Sequence, residues 1–319
     1  QLDDEAVAKA LATWVSLTRP SRMLAVIDIS GSMAYPVPSA GNATRAQIAL
    51  EAARQGMMLF DDSWSVGLWT FATRLNGNVD HLEVVPIRPM TENRDALVAA
   101  LGTIRPDPVG NTGLYDTVLA AYQEVLSKMP DMVDPDPRIG IGCCFWQLGY
   151  KDDARQAWER CLEINPESKT ANILLGLYYL DASGHVPTNS PEFIRLYKKA
   201  MTEFTQKSFK LDKNSPLACS TFAGYFLSRK QFDTVDSLAH KAIQYTDVNA
   251  VASDGWYLLA RKEHYAGNLE RAADCYRRAD DARGGAERGY LPAKFGLAQL
   301  SVLKGDLGEA KLRLEKIIQ

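Results

Sequence analysis

Between residues 23 and 33 an unbroken apolar run, Met-Leu-Ala-Val-Ile, gives way to Asp28-x-Ser30-x-Ser32. An apolar stretch of this length, without alternation, predicts a strand buried on both faces, as in a parallel sheet flanked by helices. Gly31 permits a sharp exit from that strand. A loop rich in Pro, Ser, Gly and Asn follows (34–44), then an amphipathic helix over 45–60 and a second strand over 64–72. Further on, the pattern predicts an extended stretch over 82–89, a helix over 93–104, and another helix after Gly110-Asn111-Thr112-Gly113-Leu114-Tyr115-Asp116 that reaches Met129. Next come residues 130–137, Pro-Asp-Met-Val-Asp-Pro-Asp-Pro, where no apolar strand is present. Asp131, Asp134 and Asp136 read as solvated residues of a Pro-broken linker.

From Arg138 the period changes to recurring helical hairpins. Small residues at Gly142, Ala154 and Cys161 alternate with a large one at Trp158, and Pro166 stands where a helix should stop. Gly176 opens the next unit 34 residues after Gly142. Its second helix, over 191–211, is long, and 181–190 reads as an inserted loop. Ala223, Val235, Ala239 and Ala242 mark a third unit, Ala260, Ala272, Tyr276 and Ala279 a fourth, and Ala298, Ala310, Leu314 and Ile317 a fifth. The small residues let paired helices approach, and the large ones fill the space between pairs. This pattern resembles the tetratricopeptide repeat, so an all-α solenoid of about five units is expected over 135–319, after an α/β domain over 1–134.

Three stretches carry a narrower likeness: Arg138-Ile-Gly-Ile-Gly-Cys-Cys-Phe-Trp, Ala154-Arg-Gln-Ala-Trp-Glu-Arg-Cys-Leu, and the run from Ala223 through Ala239-His-Lys-Ala. They resemble the large tetratricopeptide subunit of the nuclear elongation-factor complex associated with RNA polymerase II, in a fungal form. The resemblance implies a non-enzymatic scaffold that holds protein partners, other subunits of such a complex, along the concave face of its solenoid. It also implies a nuclear location.

The candidate chemistry lies in the first part. Carboxylate and hydroxyl oxygens suit Mg²⁺ or Mn²⁺, which take a near-octahedral oxygen shell and retain water, whereas no Cys or His stands nearby to favour zinc. The spacing, with its strand and helix context, resembles the von Willebrand factor A domain, in bacterial wording, and its metal-ion-dependent adhesion site. That resemblance implies a Rossmann-like parallel sheet, with the metal held by Asp28, Ser30, Ser32 and the second-loop Thr112. Asp116 reads instead as a first-turn carboxylate favoured by the helix dipole. Such domains continue into a further strand whose aspartate completes the site, and here none follows. The expected sheet therefore ends at its first strand, with an open edge. On this reading the alternative function is Mg²⁺-dependent adhesion, in an extracytoplasmic setting.

Composition separates the two parts. Residues 1–134 carry a net charge of −6 and the remainder +3, within a total of −3, and all five cysteines lie after residue 142. Cys143, Cys144 and Cys161 read as small core residues, since no metal-ligand spacing joins them. Two unlike halves meeting near 134–137 read as a fusion. The chain begins at Gln1, and no signal peptide or transmembrane run is present in the sequence. Lys198-Lys199 and Arg277-Arg278 are short basic pairs among acids, so neither direct nucleic-acid binding nor membrane binding is expected. His81, His185, His240 and His264 are scattered, and Met57, Met58, Trp146, Trp158 and Trp256 read as packing. Asn42-Ala43-Thr44 is a formal glycosylation acceptor. No nucleophile elbow, zincin or phosphate-loop motif occurs, so no enzyme is expected.

Overall fold

The computed structural model describes residues 21–188, 190–284 and 289–318. Residues 1–20 of the expected first domain lie outside them. The chain divides into two compact units: Gln1–Met132 with Cys143–Tyr150, and Val133–Gly142 with Lys151–Gln319.

In the first unit, β1 (Arg22–Asp28), β2 (Ser65–Asn76) and β3 (Val79–Pro89) form one sheet in the order β1-β2-β3. β1 runs parallel to β2, with Ala25 opposite Leu68, and β3 returns antiparallel to β2 with register shifts between Val66 and Leu68 and again at Leu68/Trp69. Helix α1 (Arg45–Met57) starts from a complete capping box: Thr44 Oγ1 accepts Gln47 N–H at 3.2 Å, and Gln47 Oε1 accepts Thr44 N–H at 2.8 Å. Helix α2 (Met90–Thr103) packs on β2, β3 and α1, and helix α3 (Leu114–Lys128) follows. The core is Val66, Leu68, Ala72 and Val85 from the sheet with Met57, Met90, Leu97 and Leu101 from the helices. Asn93 is buried in this core and donates its amide to Val66 O at 2.6 Å and Pro86 O at 2.8 Å. It thereby satisfies carbonyls that the irregular β2–β3 pairing leaves exposed to the core.

Three expectations are corrected here. Residues 23–28 are half-buried and not buried on both faces, and among the described residues β1 is an edge strand of the sheet. The first helix stops at Met57, which is 3% exposed, so Met58 falls in the capping turn and is 64% exposed instead of filling the core. Asp136, expected in solvent, has a side chain only 6% exposed. It stands just before the Pro137 that opens helix α4 (Pro137–Gln147), where its Oδ1 accepts Arg138 N–H at 2.9 Å and pairs with the Arg138 guanidinium at 3.1 Å. A carboxylate before an N-terminal proline is a helix cap, a role that linker composition hides.

The second unit is helical. After the first half of α4 come α5 (Lys151–Ile164), α6 (Lys169–Gly184), α7 (Pro191–Lys198), a π-helical turn (Lys199–Thr205), α8 (Gln206–Leu211), α9 (Pro216–Ser228) and α10 (Phe232–Gln244). α11 (Asn249–Tyr265), α12 (Leu269–Ala282), α13 (Leu291–Leu303) and α14 (Leu307–Ile318) complete it. From α9 onward each helix packs on the next, and α9 also touches α11, as α11 touches α13. The register small and large residues occupy these interfaces. A Cβ on Gly142 would overlap the Trp158 indole, and one on Gly296 would overlap the Tyr276 ring. One on Gly255 would stand 2.7 Å from Ile243 Cγ1. Ala223, Val235, Ala239, Ala260, Ala272, Tyr276 and Ala279 are all fully buried in one continuous core.

The long helix expected over 191–211 is present, with the π turn inside it; Thr205 Oγ1 donates to Ala200 O at 2.8 Å, and Gly176 faces that threonine. The inserted loop is shorter than 181–190, because α6 continues to Gly184. Among the described residues no helix is long and apolar enough to cross a membrane.

Candidate functional site

The loop leaving β1 and the loop before α3 are tied together by backbone bonds. Asp107 N–H donates to Ile29 O at 2.6 Å, and Gly31 N–H to Gly110 O at 2.8 Å. Thr73 N–H donates to Asn111 O at 2.8 Å, and Asn111 N–H returns to Thr73 Oγ1 at the same distance. The glycines are required by this closeness: a Cβ on Gly31 would stand 3.0 Å from Pro108 O, and one on Gly110 2.7 Å from Ala72 Cβ. At Gly113 a Cβ would collide with the Asp80 carboxylate, whose Oδ1 also accepts Arg74 N–H at 2.7 Å.

This docking brings the four predicted oxygen donors into one place. Asp28 Oδ1 accepts Ser30 N–H at 2.8 Å. Ser30, only 2% exposed, has its Oγ 3.4 Å from Ser32 Oγ and 3.3 Å from Thr112 Oγ1, across 82 residues of chain. Ser32 and Thr112 are exposed, so the cluster is open on one side. Around Mg²⁺, neighbouring oxygens each about 2.1 Å from the ion stand about 3 Å apart, so the hydroxyls fit such a shell after a shift of a few tenths of an ångström. With Asp28 the group would offer a cation three neutral donors and one carboxylate, and water or a ligand would fill the remaining positions. Among the described residues no group of three His, Cys, Asp or Glu side chains is placed to hold a metal ion. Asp116 lies in the first turn of α3, as expected from its sequence position. Beside the cluster is a cleft of about 510 Å³ lined by Thr73, Arg74, Asp107, Val109, Gly110 and Asn111.

The helical unit carries a different kind of surface. Phe193 and Tyr197, one turn apart on α7, stack at 5.6 Å; Tyr197 continues to Tyr225 of α9 at 6.3 Å, and the Arg229 guanidinium covers Tyr225 at 4.4 Å. These side chains are half-buried or exposed, and Ile194 beside them is exposed. Burial pushes the Tyr197 phenol up from its ordinary value. Reading the sequence missed this ladder, although the spacing of four in Phe193/Tyr197 and Tyr225/Arg229 was visible. The thiols are core residues by environment: burial pushes Cys219 up to about 11 and raises Cys144 and Cys275. His81 stacks on Trp69 at 4.4 Å, and burial lowers its pKa.

Comparison with known proteins places the helical unit. A tetratricopeptide repeat model matches residues 138–168. "Tetratricopeptide repeat protein 1" of Schizosaccharomyces pombe is 35% identical over 207 residues, 65% of this chain and 19% of that protein. "RNA polymerase-associated protein CTR9" is 27% identical in two organisms: over 61% of this chain and 16% of the relative in Caenorhabditis elegans, and over 64% and 19% in Saccharomyces cerevisiae. The matched part of this chain therefore spans about a fifth of the length of these relatives. With the repeat match and the stacked helix pairs together, the helical unit is a tetratricopeptide-like solenoid.

Proposed function

We propose that this chain is a non-enzymatic protein-binding scaffold that works with the RNA polymerase II elongation machinery in the nucleus. The observation that carries the reading is the likeness to RNA polymerase-associated proteins over nearly two thirds of the chain. Stacked repeats leave a long continuous surface suited to extended peptides or partner helices, and the Phe193–Tyr197–Tyr225 ladder supplies aromatic area of the kind that anchors such contacts. The test is capture of purified elongation-complex subunits by the full chain, with and without EDTA. Binding is expected to survive chelation and the Asp28→Ala substitution, and to weaken at least tenfold in Tyr197→Ala/Tyr225→Ala. Binding lost in EDTA would move the function to the first unit.

A second reading is favoured by the convergence of Ser30, Ser32 and Thr112 at 3.3–3.4 Å. In it the first unit is a partial von Willebrand A-type module, and Asp28, Ser30, Ser32 and Thr112 hold Mg²⁺ or Mn²⁺. The ion, when bound, offers a Lewis-acidic position to an acidic side chain of a partner. With a single carboxylate in the shell, weak binding is expected, in the millimolar range typical of low-charge oxygen sites. Titration with Mn²⁺ followed by electron paramagnetic resonance is expected to show one site that disappears in Ser30→Ala. Equal uptake by wild type and variant removes this reading.

A further inference from the structure

Among the described residues no strand lies on the outer edge of β1, and that edge has a built-in register. Toward β2 the strand uses its odd-numbered backbone groups: Ser21 O accepts Ser65 N–H at 2.9 Å, and Ile29 N–H donates to Phe71 O at 3.0 Å, with the parallel pairing from Arg22↔Ser65 to Asp28↔Phe71 between them. Successive residues of a strand direct their N–H and C=O to opposite sides. Arg22, Leu24, Val26 and Asp28 therefore direct theirs away from β2, and among the described residues no strand pairs with them.

An antiparallel ladder forms hydrogen-bonded pairs only where outward-directed residues of both strands stand opposite each other. A second β1 meets that condition with itself. Centred on Ala25, the pairing sets Arg22 opposite Asp28, Leu24 opposite Val26, and the two reciprocal pairs, so that every outward group of the strand is used. Opposite charges then meet at both ends, and apolar side chains meet in the middle. Registers centred on Leu24 or Val26 also oppose outward residues, but each gives up a pair and separates the arginine from the aspartate. This charge match, at the two ends of an otherwise apolar strand, favours a second copy over an unrelated strand.

We propose that β1 pairs antiparallel with β1 of a second copy about a two-fold axis at Ala25, giving a continuous six-stranded sheet. The contact is isologous, closes on itself, and covers a sheet edge whose side chains are apolar from Met23 to Ile27.

The experiment uses the full chain. Multi-angle light scattering across micromolar concentrations is expected to give twice the monomer mass. Arg22→Asp places like charges opposite each other at both ends and is expected to raise the dimer dissociation constant about tenfold or more. Val26→Pro removes an outward N–H without touching the bonds to β2, and is expected to leave a monomer with unchanged circular dichroism. Ala25 pairs with its own symmetry mate, so Ala25→Cys is expected to form a disulfide between the two copies at that position under mild oxidation, identified by peptide mass spectrometry. That cross-link keeps the test decisive if Val26→Pro does not fold. A monomer at all concentrations, or a dimer that persists in Arg22→Asp and yields no cross-linked β1 peptide from Ala25→Cys, overturns the proposal.

Discussion

Tyr276→Ala is expected to lower the unfolding free energy of the helical unit by about 3–5 kcal/mol, the range for removing a large aromatic side chain from a close-packed core. Tyr276 is the largest fully buried side chain among the described residues. Its ring fills the space that Gly296 leaves on α13, meets Tyr257 of α11 with centroids 6.0 Å apart, and receives the His264 imidazole edge-on at 6.1 Å. Its hydroxyl stands 3.2 Å from His264 Nδ1, so truncation also leaves a half-buried imidazole without that partner. Three helices share this one side chain, and the backbone cannot collapse into the gap without disturbing all of them. Urea denaturation followed by far-ultraviolet circular dichroism measures the loss. Gly296→Val, which forces a side chain into the same space from the other side, is expected to act in the same direction. A loss under about 1 kcal/mol for Tyr276→Ala would mean that the interface is not packed as described.

Glu263→Ala is expected to cost about 3 kcal/mol, the low end for breaking a buried charge pair. Glu263, 3% exposed on α11, accepts from Asn268 Nδ2 at 2.7 Å and pairs with Lys262 Nζ at 3.0 Å and Arg271 Nε at 3.4 Å. Lys262 also reaches Asp236 of α10 at 2.5 Å, so the network joins α10, α11 and α12. The low-end figure follows because Lys262 keeps Asp236, and Arg271 is itself mostly in solvent. Burial works against the charge on Glu263, yet the bonds from Asn268 and Lys262 and the neighbouring cations outweigh it and hold its carboxyl below its ordinary value. A carboxylate depressed in the folded state stabilises fully above its unfolded pKa. That contribution fades as pH falls from about 4.5 through the lower folded value. Glu263→Gln is therefore expected to be less stable than wild type at pH 7 and to lose less between pH 5 and pH 3. Parallel pH dependence in the two proteins would remove Glu263 from the network's energetics.

What the sequence revealed and what it hid follow from how far each feature depends on neighbours. The repeat register at Gly142/Trp158 and at Ala272/Tyr276 was legible because each unit's packing recurs and selects side-chain size position by position. Asp28, Ser30 and Ser32 stand out in the sequence only when their spacing is read with the apolar run and the elements around it, and Thr112 only through resemblance to a family. Asp136 was misread because a carboxylate among prolines has the composition of a linker, whereas its burial depends on the helix that starts beside it. The half-burial of β1 could not be seen in Met23–Ile27, since a strand's exposure is set by what pairs with its far edge. The aromatic ladder was hidden for a similar reason: Tyr197 and Tyr225 lie 28 residues apart and meet only because α7 and α9 are neighbours.

The π turn between Lys199 and Thr205 bears on how this part of the solenoid tolerates change. One extra residue in a helical turn rotates everything after it by about 100° relative to a straight helix. Before the turn, Tyr197 faces Tyr225; after it, Phe209 faces Phe222 with ring centroids 5.4 Å apart, and Ser208 Oγ reaches back to Lys169 O at 2.9 Å. In a straight helix the twelve residues from Tyr197 to Phe209 would set the two about 120° apart in azimuth; with one residue taken up by the π turn about 20° remains, and both ends meet the same neighbouring helix. The extra residue is therefore what keeps both ends on one face: straightening the turn without removing a residue would swing one of them away from its partner, whereas deleting one residue within the turn is expected to leave both in place.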